Sequence, residues 1–190
     1  MKFLRYEDQR ATPWKNGGGV TREIAVRSDP AVHPEFLWRV SMATVSQPGP
    51  FSRFEGIDRT IAVLKGAGIV LHASDGDTLL TRDAGPHSFD GEAAVTASIV
   101  SGETTDLNVM TRRGQFEHRI EKLVFDHAIA IDGETDETLI VFNSNVTAKL
   151  AEGLFAGQAL DGIGDIPRGA RVYLTPEDRG EVYVIRIERR

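Results

Sequence analysis

Glycine punctuation is the feature that most narrows the folds open to this chain. Gly66, Gly76, Gly91, Gly102 and Gly114 follow one another at intervals of 10 to 15 residues. Between them lie short runs rich in β-branched residues: Thr60-Ile61-Ala62-Val63-Leu64, Ile69-Val70-Leu71, Val95 to Val100 and Leu107-Asn108-Val109-Met110. Short strands separated by turns at that spacing specify a sandwich or a barrel, because parallel βαβ units need longer helical crossovers. The C-terminal part repeats the style in Thr138-Leu139-Ile140-Val141-Phe142, Arg171-Val172-Tyr173-Leu174 and Val182 to Ile187. The expectation is an all-β protein.

Two segments carry a competing signal. Phe116, Ile120, Leu123, Val124 and His127 fall on a helical stripe, and Val146, Leu150 and Leu154 do so more weakly, with Gly153 against a long helix. Either could form a short helix on the surface of the β structure. Arg112-Arg113-Gly114-Gln115 is the best junction between two β-rich halves, 1–114 and 115–190, which are expected to pack as one body.

Composition removes several function classes. The 190 residues include 22 Lys and Arg against 28 Asp and Glu, a formal net charge of −6, which disfavours nucleic acid as a partner. There is no cysteine, hence no disulfide framework, thiolate metal site or cysteine nucleophile. The first residues lack an apolar signal core, and no stretch approaches the roughly 18 apolar residues of a membrane span. A soluble, cytoplasmic protein without a membrane partner is the default expectation. Exposed edge strands would give a small β protein a route to a homodimer.

The chemistry-bearing stretches lie in the first 114 residues. Pro13 to Ile24 contains Asn16-Gly17-Gly18-Gly19, a hairpin signal. Three glycines also let backbone N–H groups approach a ligand as an anion nest, so the loop is either a tight turn or part of a site. No phosphate-loop pattern accompanies it. In Trp38 to Val45, Trp38, Val40 and Met42 share one face while Arg39, Ser41 and Ala43 share the other. Asp106, Asn108, Met110 and Arg112 alternate in the same way with Leu107, Val109 and Thr111. The plain reading makes the polar faces solvated. The sharper one makes them the lining of a ligand-holding barrel mouth. Asp58 and Arg59 are adjacent and point apart in a strand, which disfavours a mutual ion pair.

Four blocks in order make a resemblance specific: Trp14 to Ile24, Trp38 to Ala43, Gly49-Pro50-Phe51-Ser52-Arg53-Phe54-Glu55-Gly56-Ile57-Asp58-Arg59, and Asp106 to Arg113. They resemble the signature blocks of the HutD/Ves family over residues 14 to 113, with Glu55 where the family usually has proline. The back half resembles it only in length and style. The resemblance implies a cupin-type double barrel (bicupin), two antiparallel barrels packed in one chain, in a cytoplasmic protein associated with bacterial histidine utilisation. It further implies binding of a small anionic metabolite, such as N-formylglutamate or urocanate, to moderate pathway flux, with no firmly attached catalysis.

Cupin enzymes hold a metal through two His and a Glu before a Val-Leu-x-Gly turn, with a third His later. Here the turn is Val63-Leu64-Lys65-Gly66, Arg59 falls at the Glu position, and Ser52 to Glu55 offer no His. Pro86-His87-Ser88-Phe89 resembles the second motif, but one His is not a site. His33, His72, His118 and His127 have no ligand spacing. No metal and no cofactor is expected. An arginine in that position attracts a carboxylate. Arg39 and Arg59 are therefore the expected anchors, with Ser41 and Asn108 as neutral partners and Lys15, Asn16, Glu23 and Met110 completing the set. Glu23 could instead neutralise an arginine internally. A cupin hydrolase or isomerase using Glu23, Lys15 or His87 is the first rival function, and a regulator that docks on another protein is the second. No Ser-His-Asp pattern can be named from the sequence.

Overall fold

The computed structural model describes residues 1–190 except His33 and Glu35. His33, one of the histidines considered above, thus lies outside the described residues. All regular structure among the described residues is β. The strands are β1 (Lys2–Leu4), β2 (Ala11–Pro13), β3 (Gly19–Ser28), β4 (Phe36–Val45), β5 (Gly49–Pro50), β6 (Ile57–Lys65), β7 (Ile69–Ala73), β8 (Gly76–Leu80), β9 (His87–Asp90) and β10 (Thr96–Ile99). They continue with β11 (Thr104–Arg112), β12 (Phe116–Phe125), β13 (Ile129–Asp132), β14 (Glu137–Phe142), β15 (Val146–Leu150), β16 (Gly153–Gly157), β17 (Gly162–Ile166), β18 (Arg171–Pro176) and β19 (Gly180–Arg189).

Both segments with helical spacing are strands. Phe116–Phe125 is β12, and Val146–Leu150 is β15, whose burial alternates strictly with Val146, Ala148 and Leu150 inward. Leu154 lies across a hairpin, on β16, so its four-residue offset from Leu150 is a coincidence of turn length. Tertiary pairing overrides the local period here.

The chain forms two compact units, Arg10–Glu117 and a discontinuous one made of Met1–Gln9 with His118–Arg190. In the discontinuous unit, β1-β17-β14-β19-β12 and β13-β18-β15-β16 form two antiparallel sheets. Their facing residues, among them Ile140, Phe142, Val146, Leu174 and Val184, make one apolar core. β1 joins by pairing Lys2, Phe3 and Leu4 with Gly164, Ile163 and Gly162. Arg5 adds a salt bridge to Asp161 at 2.9 Å.

The continuous unit likewise has two sheets, β2-β3-β4-β11-β6-β9 and β5-β10-β7-β8. Strands β4, β6 and β11 are almost wholly buried along their length, on both faces. One face carries Trp38, Val40, Met42, Ala62, Leu64, Leu107 and Val109. The other divides in two. Ile61 and Val63 join Ile69, Leu71, Leu80, Val95 and Ala97 in an apolar cluster between the sheets. Further along that face stand Arg39, Ser41, Arg59, Asp106 and Asn108, with Met110 and Ala43 among them.

Candidate functional site

The register of the central strands builds a polar floor. Across β4, β11 and β6 the first row is Arg39–Met110–Arg59, the second Ser41–Asn108–Ile61 and the third Ala43–Asp106–Val63. Directly opposed residues share a face, so both arginines flank Met110 one strand away on each side. Above this floor is a cavity of about 690 Å³. It is lined by Arg39, Ser41, Ala43, Arg59, Asp106, Asn108 and Met110 from the sheet. Thr12 to Asn16 and Thr21 complete it from the first hairpin, Pro50 from β5, and Phe51, Ser52 and Phe54 from the loop after β5. The polar face taken on the plain reading as solvated is the lining of an internal space: Ser41, Arg59, Asp106 and Asn108 are all buried.

Aromatic rings hold the guanidinium groups. Arg59 lies 5.0 Å from the Phe89 ring centroid, 5.3 Å from Phe51 and 5.6 Å from Phe54. Arg39 lies 5.1 Å from Phe36 and 5.5 Å from Phe54. Cation–π contact offsets part of the desolvation of a buried arginine. Arg59 Nη1 also donates to the Ser52 carbonyl at 3.0 Å, and Arg39 Nη2 contacts Met110 Sδ at 3.6 Å. The Nε atoms of both arginines have no hydrogen-bond partner among the described residues. Burial pulls the Arg59 pKa down to about 10, with Asp106 opposing the shift and Arg39 adding to it. Burial also lowers that of Arg39, partly offset by Glu23. Both remain cations at neutral pH.

Asp106 is the acidic member, with 1% of its surface exposed. Burial raises its carboxyl pKa to about 7, against the pull of Arg59. With two guanidinium groups and one carboxylate, the cavity is net positive and repels a divalent cation. The lining therefore does not fit the metal that a cupin enzyme would hold. Among the described residues no group of three His, Asp or Glu is placed to bind a metal ion.

Seven of the eight residues singled out from the sequence line this cavity: Lys15, Asn16, Arg39, Ser41, Arg59, Asn108 and Met110. Glu23 stands opposite Ser41 at a bulge, exposed and outside the lining, and reaches Arg39 only through space. His87 is also outside the lining; it sits on β9 against Phe89. The glycine loop is a turn. Gly17 N–H donates to Trp14 O at 3.0 Å, and Gly18 N–H donates to Asn16 Oδ1 at 3.0 Å, so these donors are consumed internally. Gly17 adopts φ +71°. At Gly19 a Cβ would stand 2.5 Å from the Thr44 carbonyl oxygen.

Sequence reasoning missed Asp106, Phe51 and Phe54. Asp106 was legible as sharing a face with Asn108 and Met110, and the two phenylalanines frame the Arg53 of their block. It also missed a Ser-His-Asp array on the smaller sheet. His72 Nε2 lies 2.8 Å from Ser98 Oγ and its Nδ1 lies 2.8 Å from Asp77 Oδ1. Sheet pairing alone brings these three together, since His72 stands opposite Asp77. A nucleophilic triad works in a water-excluded site with oxyanion donors. The side chains of His72 and Asp77 are 38% and 65% exposed, which makes the array a cross-strand tie.

The HutD family model matches residues 6–164. The chain belongs to the HutD family. HutD of Pseudomonas fluorescens SBW25 superposes with a TM-score of 0.82 at 26% identity, over all of this chain and 98% of its own length. A conserved protein of unknown function from Pseudomonas aeruginosa PAO1 gives 0.84 at 27% over the same shares. Protein Ves of Citrobacter koseri is 35% identical over 121 residues. That match covers 62% of this chain and 62% of Ves, so the chain spans under two thirds of the length of that curated relative. A Cupin 2 conserved barrel domain protein from Leptotrichia buccalis aligns over 98% of this chain and 96% of its own, with a TM-score of 0.64 at 7% identity. The fold of this HutD family member is thus cupin-like. No helix among the described residues is long and apolar enough to cross a membrane.

Proposed function

We propose that this HutD family protein binds a small carboxylate metabolite of histidine degradation, of the N-formylglutamate or urocanate type. It holds the metabolite in the cavity over β4, β11 and β6 and moderates flux through that route without catalysing a step of it. The carrying observation is the convergence of two cationic guanidinium groups, Arg39 and Arg59, on one cavity whose single buried carboxylate cannot neutralise both. Glu23, which could have closed that balance internally, is exposed and outside the lining. Arginine pairs bidentately with carboxylate, and Ser41, Asn16 and Lys15 supply further donors around the same space. The histidine-utilisation link comes from the family's name, which the relative from Pseudomonas fluorescens carries.

The test is thermal unfolding of the purified protein with N-formylglutamate, urocanate, histidine and glutamate. A ligand held only by the folded state at 100 times its Kd adds about 2.7 kcal/mol. The expected result is a shift with one of the acidic metabolites that Arg39→Ala and Arg59→Ala abolish. No shift with any of them refutes the reading and leaves protein docking as the function to pursue. Turnover of an acid in the same samples, followed by NMR, would refute the binding-only reading and give Asp106 or Lys15 an acid–base role.

A further inference from the structure

Asp106 is the cavity residue that anion binding leaves unexplained. Neither of its carboxylate oxygens has a hydrogen-bond partner among the described residues. Arg59 acts on it only through space, its Nη1 being committed to the Ser52 carbonyl. Across the strands on either side stand Ala43 and Val63, whose side chains cannot donate. Two positions along the same face of β11, Asn108 Oδ1 also lacks a partner. Buried acceptors are almost always satisfied, so a run of three unpartnered oxygens on one wall of a cavity marks a place where a ligand donates.

The cavity is therefore polarised. Its Arg39–Met110–Arg59 row offers donors and positive charge, while its Asp106 row offers acceptors. The two rows are four residues apart along β11, roughly 13 Å at about 3.3 Å per residue, a span that the long arginine side chains shorten. A ligand matched to both ends has a carboxylate at one end and an N–H group a few bonds away.

We infer that the cavity selects carboxylates that also carry an amide, imidazole or ammonium N–H, and that Asp106 is the specificity-determining residue that accepts from it. The inference rests on the anion-binding reading and deepens it. A carboxylate lacking the donor leaves Asp106 as a buried, unpaired charge, which is the arrangement that discriminates most strongly between close analogues.

Titration calorimetry at pH 8 on two matched pairs tests this. One pair is N-formylglutamate and its ester counterpart with oxygen in place of N–H. The other is urocanate and 3-(furan-3-yl)acrylate. In at least one pair the N–H member is expected to bind tenfold or more tightly to the unmodified protein, and Asp106→Asn should shrink that gap below threefold. The wild-type comparison needs no variant, and circular dichroism checks that Asp106→Asn is folded. A wild-type gap below threefold in both pairs, or a gap that Asp106→Asn leaves intact, overturns the inference while Arg39-dependent binding still stands. Absence of binding by all four compounds, or binding indifferent to Arg39→Ala, overturns the anion-binding reading and this inference with it.

Discussion

Replacing Asp106 by Asn should make the protein more stable, and only above a defined pH. The folded-state carboxyl pKa is raised from the ordinary 3.8 to about 7 because burial penalises its ionised form. Well below pH 3.8 the carboxyl is neutral in both states, and Asn is close to isosteric with it, so there the variant and the parent should match. As the pH rises from 3.8 towards 7 the unfolded chain releases its proton first. The folded state then binds more protons than the unfolded state, and stability attributable to this group falls. About three pKa units at 1.36 kcal/mol each give a cost of about 4 kcal/mol, fully developed above pH 7. Arg59 already enters that figure, since its attraction is part of what sets the shifted value. For a chain of this size the gain corresponds to a rise in Tm of about 8 to 16 °C. Urea unfolding of both proteins at pH 4.5, 6, 7 and 8 measures it as a difference, which cancels the other titrating groups. A constant difference across the series, or a variant less stable at pH 8, would refute the assignment of Asp106 as a buried, uncompensated carboxylate.

Three further expectations follow from particular contacts. Glu23→Gln should change affinity for the acidic ligand by less than threefold in calorimetry, because Glu23 is exposed and outside the cavity. Gly19→Ala should cost about 1 to 3 kcal/mol in urea unfolding, since its Cβ meets the Thr44 carbonyl and the Trp14 ring. Arg113→Ala should cost about 1 kcal/mol at low salt and less at 1 M NaCl: Arg113 ties Asp58, Asp90 and Glu92 together, but its side chain is 39% exposed.

The β architecture was readable because its signals are local. Glycine-punctuated runs mark strands, and alternation in Trp38 to Val45 and Asp106 to Arg112 correctly groups Arg39 with Ser41 and Asp106 with Asn108. Which of the two groups faces a cavity was not readable. Alternation identifies the core face only when the other face is wet, and β4, β6 and β11 are buried on both. A buried polar face and a solvated one have the same sequence. Asp106 was passed over for the same reason, because an aspartate in a strand is ordinarily exposed. Glu23 was over-read: its place within a signature block says nothing about the bulge that carries the chain past it on β3. The apparent helix at residues 116–127 failed because periodicity over three turns cannot register that β19 supplies the hydrogen bonds for β12.

The pairing of β1 with β17 has a consequence for synthesis. Arg5 and Asp161 are 156 positions apart, and ribosomes add about 5 to 20 residues per second. The first strand thus emerges roughly 8 to 30 s before its partner exists, whereas each of the strands β2 to β11 finds its neighbours within Arg10–Glu117. The unit that carries the cavity can assemble during translation while the opening residues wait, their apolar side chains of Phe3 and Leu4 uncovered, for the chain to return to them.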